Sequence, residues 1–305
     1  MDTHMIADKS KEVAMSSEPE GSKRTPFVRL LHRAMIFLAA VVIARLVLEV
    51  AGLSPDIARY ISGTAGMLFV AIYVAAVAPL RGGMQKFPQL LLPALLLSAW
   101  TRAWIIVATV ISAVFHLERS HYAAKEDYGN WVQLGRHLVG HVIALGVFFI
   151  VILFVMAVVH LLWRWPVTVA PGAMLGAFVL MRYWTETMGV EVWRAAAWSS
   201  TVLILLSAFY LGGMCARLGL TEVRKLLVPS LVLGWTWRLW VYLATLFAAF
   251  VPFHSTHFFD PSGGHVAGRL LRALGANVLE GFIAGLIVWG IAVWIARATQ
   301  QQATT

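Results

Sequence analysis

Charge is what this sequence has least of. Only 13% of its 305 residues are Asp, Glu, Lys or Arg, and 60% are apolar. Soluble domains carry about 25% charged residues and about 45–50% apolar ones. A mean hydropathy of +0.76 excludes an ordinary soluble enzyme and a disordered chain. Cysteine is nearly missing too. The lone Cys215 excludes a disulfide framework, an iron–sulfur cluster and a Cys-rich zinc site. No GxSxG, Walker loop, HExxH or DxxD-like metal pair occurs, so no catalytic motif is written in the chain. The net charge of +9 forms no basic stripe beside a folded soluble domain, and nucleic acid is not an expected partner.

What is present is long apolar runs. Eight fall at about 32–52, 60–80, 89–115, 137–162, 167–187, 196–215, 226–251 and 274–296. A membrane-spanning helix needs about 20 apolar residues. The runs are continuous rather than alternating, which predicts helices and not a β-barrel. The fold class expected is therefore an all-α polytopic membrane protein of eight transmembrane helices, with the lipid bilayer as its surroundings. Residues 1–27 are polar and read as a cytosolic tail, and 299–305 as a second short one. With the N-terminus inside, thirteen Lys and Arg fall on the inner side and seven on the outer. The positive-inside rule then places both termini in the cytoplasm, at the inner membrane if the source is bacterial.

The chain also repeats itself. Shifted by 136, residues 90–122 align with 226–258 without a gap, and eleven of 33 positions are identical, including Pro93, Arg102, Trp104, Thr109 and His121. A shift of 137 brings Arg45, Glu49, Gly52 and Tyr73 onto Arg182, Glu186, Gly189 and Tyr210. A shift of 135 pairs Gly140 with Gly275 and Gly146 with Gly281. This predicts a four-helix repeat over 28–165 and a second over 166–298. An even number of helices makes the copies parallel, with a pseudo-twofold axis expected along the membrane normal.

The scarce charges inside the runs are the candidates for function. Arg45 and Glu49 share one helix face, as do Arg182 and Glu186, while Arg102 and Arg238 sit mid-run. A mid-membrane Arg costs about 2.5–3.5 kcal/mol, so four unpaired would cost about 10–14 kcal/mol. They must be paired, hydrated or liganded. One reading has Glu49 holding Arg45 and Arg102, and Glu186 holding Arg182 and Arg238, as packing devices alone. The other notes four Arg against two Glu, an excess that suits a small anionic ligand at the repeat interface. Trp104 and Trp240, at equivalent positions near these arginines, join the expected ligand-binding set.

Seven of ten histidines lie near the outer side: His116, His121, His137, His141, His254, His257 and His265. His121 and His257 are equivalent, and are expected to gate or sense protons at the outer mouth. Because no HxxxH pair is repeated, no metal site is expected. A haem lacks axial His on facing helices, so no cofactor is expected either. The primary expectation is a membrane protein that transports or binds a small anionic or amphipathic ligand. The alternatives are a membrane-embedded enzyme acting on lipid, with the outer His and Glu280 as acid–base groups, and an assembly subunit without a ligand. The basic stretch Lys23, Arg24, Arg29 and Arg33 is expected to meet anionic lipid.

Overall fold

Within a bilayer no water satisfies the peptide groups, so apolar runs close their hydrogen bonds internally. The structure, a computed structural model, describes residues 25–214, 222–250, 256–260 and 265–302. The tail over 1–24, Cys215, His254 and residues 303–305 lie outside them. Eight long helices are found among the described residues: α1 Thr25–Val50, α2 Gly63–Val77, α3 Leu91–Val114, α4 Trp131–Leu162, α5 Val169–Thr187, α6 Ser200–Met214, α7 Val223–Phe250 and α8 Val266–Gln302. There is no strand among these residues, only one isolated bridge between Thr256 and Phe259.

Seven segments are long and apolar enough to cross a membrane, from Gly63–Arg81 to Val266–Thr299. The chain is thus an integral, multi-pass helical membrane protein. Helix α1 is not among the seven, and it carries Arg29, Arg33, Arg45 and Glu49 within 26 residues. Several helices outrun the apolar stretches that announce them. Helix α1 begins at Thr25, within the 1–27 stretch read as tail, and α4 begins at Trp131 rather than 137. A helix does not end where hydrocarbon ends. It ends where a cap stops it, and Asn130 caps α4 by accepting from the Gln133 N–H at 3.1 Å.

Two helix ends matter for the site. Helices α1 and α5 both stop in a left-handed glycine, Gly52 at φ 98° and Gly189 at φ 82°. At the first, Gly52 N–H donates to Glu49 C=O and Leu53 N–H to Leu48 C=O. At the second, Gly189 N–H donates to Glu186 C=O and Val190 N–H to Thr185 C=O. These are two Schellman closures, which need the positive φ that glycine tolerates. They fix Glu49 and Glu186 in the final turn of their helices.

The packing pairs run in the same order through both halves. Helix α1 packs on α2 and α3, α2 on α3 and α4, and α3 on α4. Helix α5 packs on α6 and α7, α6 on α7 and α8, and α7 on α8. The halves meet through α2 and α4 against α5. A twofold axis would also set α6 on α1 as α2 sits on α5. Among the described residues no packing of comparable extent joins those two helices. Helices α2 and α5 are the most enclosed, with 56% of each span buried, whereas α4 and α8 bury 28% and 22% and face outward.

Helices α7 and α8 approach most closely. Gly234 of α7 lies against Gly281 and Gly285 of α8, and a Cβ on Gly285 would sit 2.7 Å from the Leu231 Cα. Gly281 and Gly285 form the small-xxx-small spacing that lets membrane helices touch backbone to backbone. The first half does not do this: nothing lies within 4 Å of a Cβ on Gly146, the equivalent of Gly281, and Gly285 aligns with Ile150.

Candidate functional site

The last turn of α1 holds a buried acid with three donors around it. Arg45 Nε donates to Glu49 Oε1 at 2.9 Å. From the loop after α3, the backbone N–H of His121 donates to Glu49 Oε2 at 3.1 Å, and its Nδ1 lies 2.8 Å from the same oxygen. The last turn of α5 holds the same arrangement. Arg182 Nε donates to Glu186 Oε1 at 3.0 Å, His257 N–H to Oε2 at 2.9 Å, and His257 Nδ1 lies 2.7 Å from both oxygens. An ionised carboxylate only accepts, so each ring donates from Nδ1. Both glutamates are almost fully buried.

The sequence expectation that each Glu also holds a mid-helix Arg is not what the structure places there. Glu49 reaches His121 in place of Arg102, and Glu186 reaches His257 in place of Arg238. The reason is position along the helix. Glu49 and Glu186 sit at helix ends, beside the loops that carry the histidines, whereas Arg102 and Arg238 lie mid-helix on α3 and α7. Arg238 is paired with Glu280 of α8, and its guanidinium stacks over Trp237 at 4.4 Å. Arg102 is 6% exposed, and its guanidinium lies 4.2 Å from the Phe148 ring centroid. No carboxylate among the described residues forms an ion pair with it, and its Nε has no hydrogen-bond partner. The position equivalent to Glu280 is Leu145, so the first half lacks the acid that neutralises the second.

Arg102 lines a cleft of about 500 Å³. Arg45, His121, Tyr122, His137 and His141 share its wall, and Trp184, Thr187 and Met188 of α5 close it from the second half. Ser62, Gly63 and Thr64, at the start of α2, also line it. Ser62 caps that helix by accepting from the Ala65 N–H, and the first turn of any helix directs its free N–H groups and positive dipole end outward. Trp184 Nε1 is buried on the α5 wall with no acceptor. Arg102 and Trp184, from opposite halves, thus line one cavity, and each carries a buried N–H, Nε and Nε1, without an acceptor. Buried donors are nearly always bonded, and leaving one unmade costs about 1–3 kcal/mol.

Histidines complete the wall. His137 Nδ1 lies 2.8 Å from Asp127 Oδ2, and the His137 ring stacks on His141 with centroids 4.9 Å apart. His141 Nε2 contacts Thr109 Oγ1 at 3.3 Å. Burial and the nearby Arg45 charge hold the His121 imidazole below its ordinary pKa, with the Glu49 contact working the other way. Burial pushes the Tyr122 phenol up, so it stays a neutral donor to Val42 C=O at 3.3 Å. Among the described residues no three His, Cys, Asp or Glu side chains gather closely enough to hold a metal ion.

Of the residues expected from sequence, Arg45, Arg102 and His121 line the cleft, and Glu49 stands behind Arg45 and His121. Arg182, Glu186 and His257 form the second cluster, away from this wall. Trp240 is fully buried, with its indole donating to Gly172 C=O at 3.0 Å. Trp104 packs edge-on against Trp100. Neither tryptophan lines the cleft. Glu280, an acid–base group on the enzyme alternative, is the partner of Arg238. The sequence reading missed Asp127, and it left Trp184, a tryptophan within a turn of an arginine, out of the expected ligand-binding set. Asp127 has no counterpart acid in an aligned helix to draw notice, although His137 ten residues later was in view. Trp184 stands two residues from Arg182, which was a signal. No family model, curated protein or solved structure matches the chain.

Proposed function

We propose that this protein binds a small anionic ligand in the Arg102 cleft and carries it across the membrane. The observation behind this is Arg102, a buried arginine with no carboxylate partner among the described residues, in the wall of a cavity that Trp184 of the other half also lines. A carboxylate or phosphate would pair with its guanidinium, and the start of α2 adds a favourable dipole. A cavity of about 500 Å³ suits a small organic anion, since ligand pockets run at about 300–1,000 Å³. Arg45 contributes positive potential with Glu49 as its positioning residue, and His121 sits at the rim to sense protons.

The same proposal treats the chain as two parallel four-helix repeats and counts α1 as an eighth span. At 1.5 Å per residue its 26 residues reach about 39 Å, enough to cross a hydrocarbon core of about 30 Å. The matched Glu–Arg–His clusters, the two Schellman closures and the repeated order of packing pairs support this reading. The copies meet side by side at α5, and the cleft lies where they meet. Both termini then fall on one side, the cytoplasmic side by the Lys and Arg balance.

The test is a thermal-shift panel of inorganic phosphate, acetate, succinate and octanoate on purified protein, with uptake of any hit into proteoliposomes. A ligand at a hundred times its Kd stabilises by about 2.7 kcal/mol, which is readily seen. At least one anion is expected to raise the wild-type Tm saturably, and Arg102→Met to weaken that binding about ten- to a hundredfold. Removing an unpaired buried charge relieves its desolvation, so the unliganded Arg102→Met protein is expected to keep its Tm or gain. An anion response identical in wild type and variant sinks the proposal. A second reading, an enzyme acting on an anionic substrate, is favoured by the Asp127–His137 dyad, whose histidine lines the same wall. Product formation that depends on His137, without net uptake, would select it.

A further inference from the structure

Three arginines at the far end of α1 take no part in the Arg102 cleft. Arg29 and Arg33 are one turn apart on one face of α1. Arg81 ends the short 3-10 turn Ala78–Arg81 that follows α2. All three are exposed, and together they line a cleft of about 470 Å³ with Phe37, Phe69 and Tyr73. No acidic side chain lines this cleft, and none of the three arginines has a hydrogen-bond or ion-pair partner among the described residues. Three like charges brought to one concavity repel unless a counter-charge sits between them.

Two ordinary explanations do not require the convergence. The positive-inside rule needs cations on one side of the membrane but not in one cleft. Nor does the helical scaffold need them. At the shift of 137 the three positions are Pro166, Ala170 and Leu218, which carry no charge. The surroundings point to the ligand's chemistry. Phe37 is 53% exposed and Tyr73 56%, so an aromatic strip continues from the arginines along α1 and α2 toward the apolar zone. Arg33 and Glu49 are sixteen residues apart on α1, about 24 Å, which puts the two clefts at opposite ends of the span. An occupant here must be anionic at the membrane surface and apolar one turn deeper.

We infer that the Arg29, Arg33 and Arg81 cleft binds the phosphate headgroup of an anionic glycerophospholipid. The guanidinium forks take the phosphate and glycerol-side oxygens, and an acyl chain lies over Phe37 and Phe69. This site stands apart from the proposed anion transport.

Native mass spectrometry of the full chain in mild detergent tests it, with added phosphatidylglycerol or phosphatidylcholine. Wild type is expected to retain phosphatidylglycerol in preference, and Arg33→Gln with Arg81→Gln to lose about fivefold in occupancy per arginine removed. Arg102→Gln is expected to retain the lipid fully, which separates this site from the other cleft. Equal retention of the two lipids, or unchanged phosphatidylglycerol retention in the double variant, overturns the inference. So does a phosphate adduct with 10 mM inorganic phosphate when no lipid binds. Should the double variant not be monodisperse, Arg81→Gln alone decides on the same criteria, since Arg81 lies exposed on a surface turn.

Discussion

Glu49 accepts three hydrogen bonds while burying its carboxylate against Arg45. Removing its charge leaves Arg45 uncompensated, and breaking a buried pair costs about 3–5 kcal/mol. Glu49→Gln is therefore expected to lower the Tm in detergent sharply, and Glu186→Gln to do the same from the other half. A Tm unchanged in both would show the clusters to be dispensable for folding. His121 adds a pH dependence. Its folded pKa lies below the ordinary imidazole value, so the unfolded state binds the proton first as pH falls. Stability contributed at this group is complete above the unfolded pKa near 6.5 and declines on acidification below it. Unfolding followed between pH 7.5 and 5 is expected to show a Tm that falls with pH, with a shallower slope in His121→Gln. An unchanged slope would clear His121 of that role. At this scale the sequence was informative about which residues matter and less so about who partners whom. Arg45–Glu49 is a local i,i+4 contact and could be read directly. The Glu49–His121 contact joins residues 72 apart, and only the fold of the loop after α3 decides it.

Helix α7 is set on α8 by glycines. Gly234, Gly281 and Gly285 remove the side chains that would hold the backbones apart, and α7 places Arg238 beside Glu280 at that seam. Gly234→Val is expected to destabilise by about 1–3 kcal/mol through overpacking, with Arg238 displaced from Glu280. Gly290→Val is the control, since a Cβ there meets nothing within 4 Å. Equal Tm losses in the two variants would show that helix propensity, not contact, sets the effect. The glycine pattern was visible in the sequence as Gly146 against Gly281, and it suggested equal roles. The structure gives them different ones, because α4 stands off its neighbour where α8 does not. Helix existence was legible from apolar runs alone. Helix ends were not, since α1 reaches back to Thr25 in the polar stretch and α4 starts at Trp131, where the Asn130 cap and not hydropathy sets the start.

The molecule as a whole is a set of eight long helices whose packing order repeats. Counting spans is a matter of sidedness. With eight, the 163–168 connection lies on the same side as both termini, and the loop after α3 on the other. Cys215→Ala removes the only thiol, so single cysteines at positions 10, 125, 164 and 301 can be labelled with a membrane-impermeant maleimide in intact cells. Position 125 alone is expected to react, and reaction at only one of positions 10 and 301 would mean an odd number of crossings. Composition made the membrane legible, and the internal alignment predicted two related copies. The off-axis junction was not legible, because alignment compares each half with the other and says nothing of how they dock. That junction carries one more contact. Arg59 Nη1, in the connection from α1 to α2, donates to the Met188 C=O at the end of α5, 2.6 Å away, and Met188 is on the cleft rim. The bond ties the connection before α2 to the end of α5 beside the cleft, so any separation of these two segments must first undo it. A hydrogen bond to a charged group is worth about 1.5–3 kcal/mol, which keeps the separated form about ten- to a hundredfold rarer than it would be untied. If the cleft widens to admit an anion as proposed, this is the contact it must release.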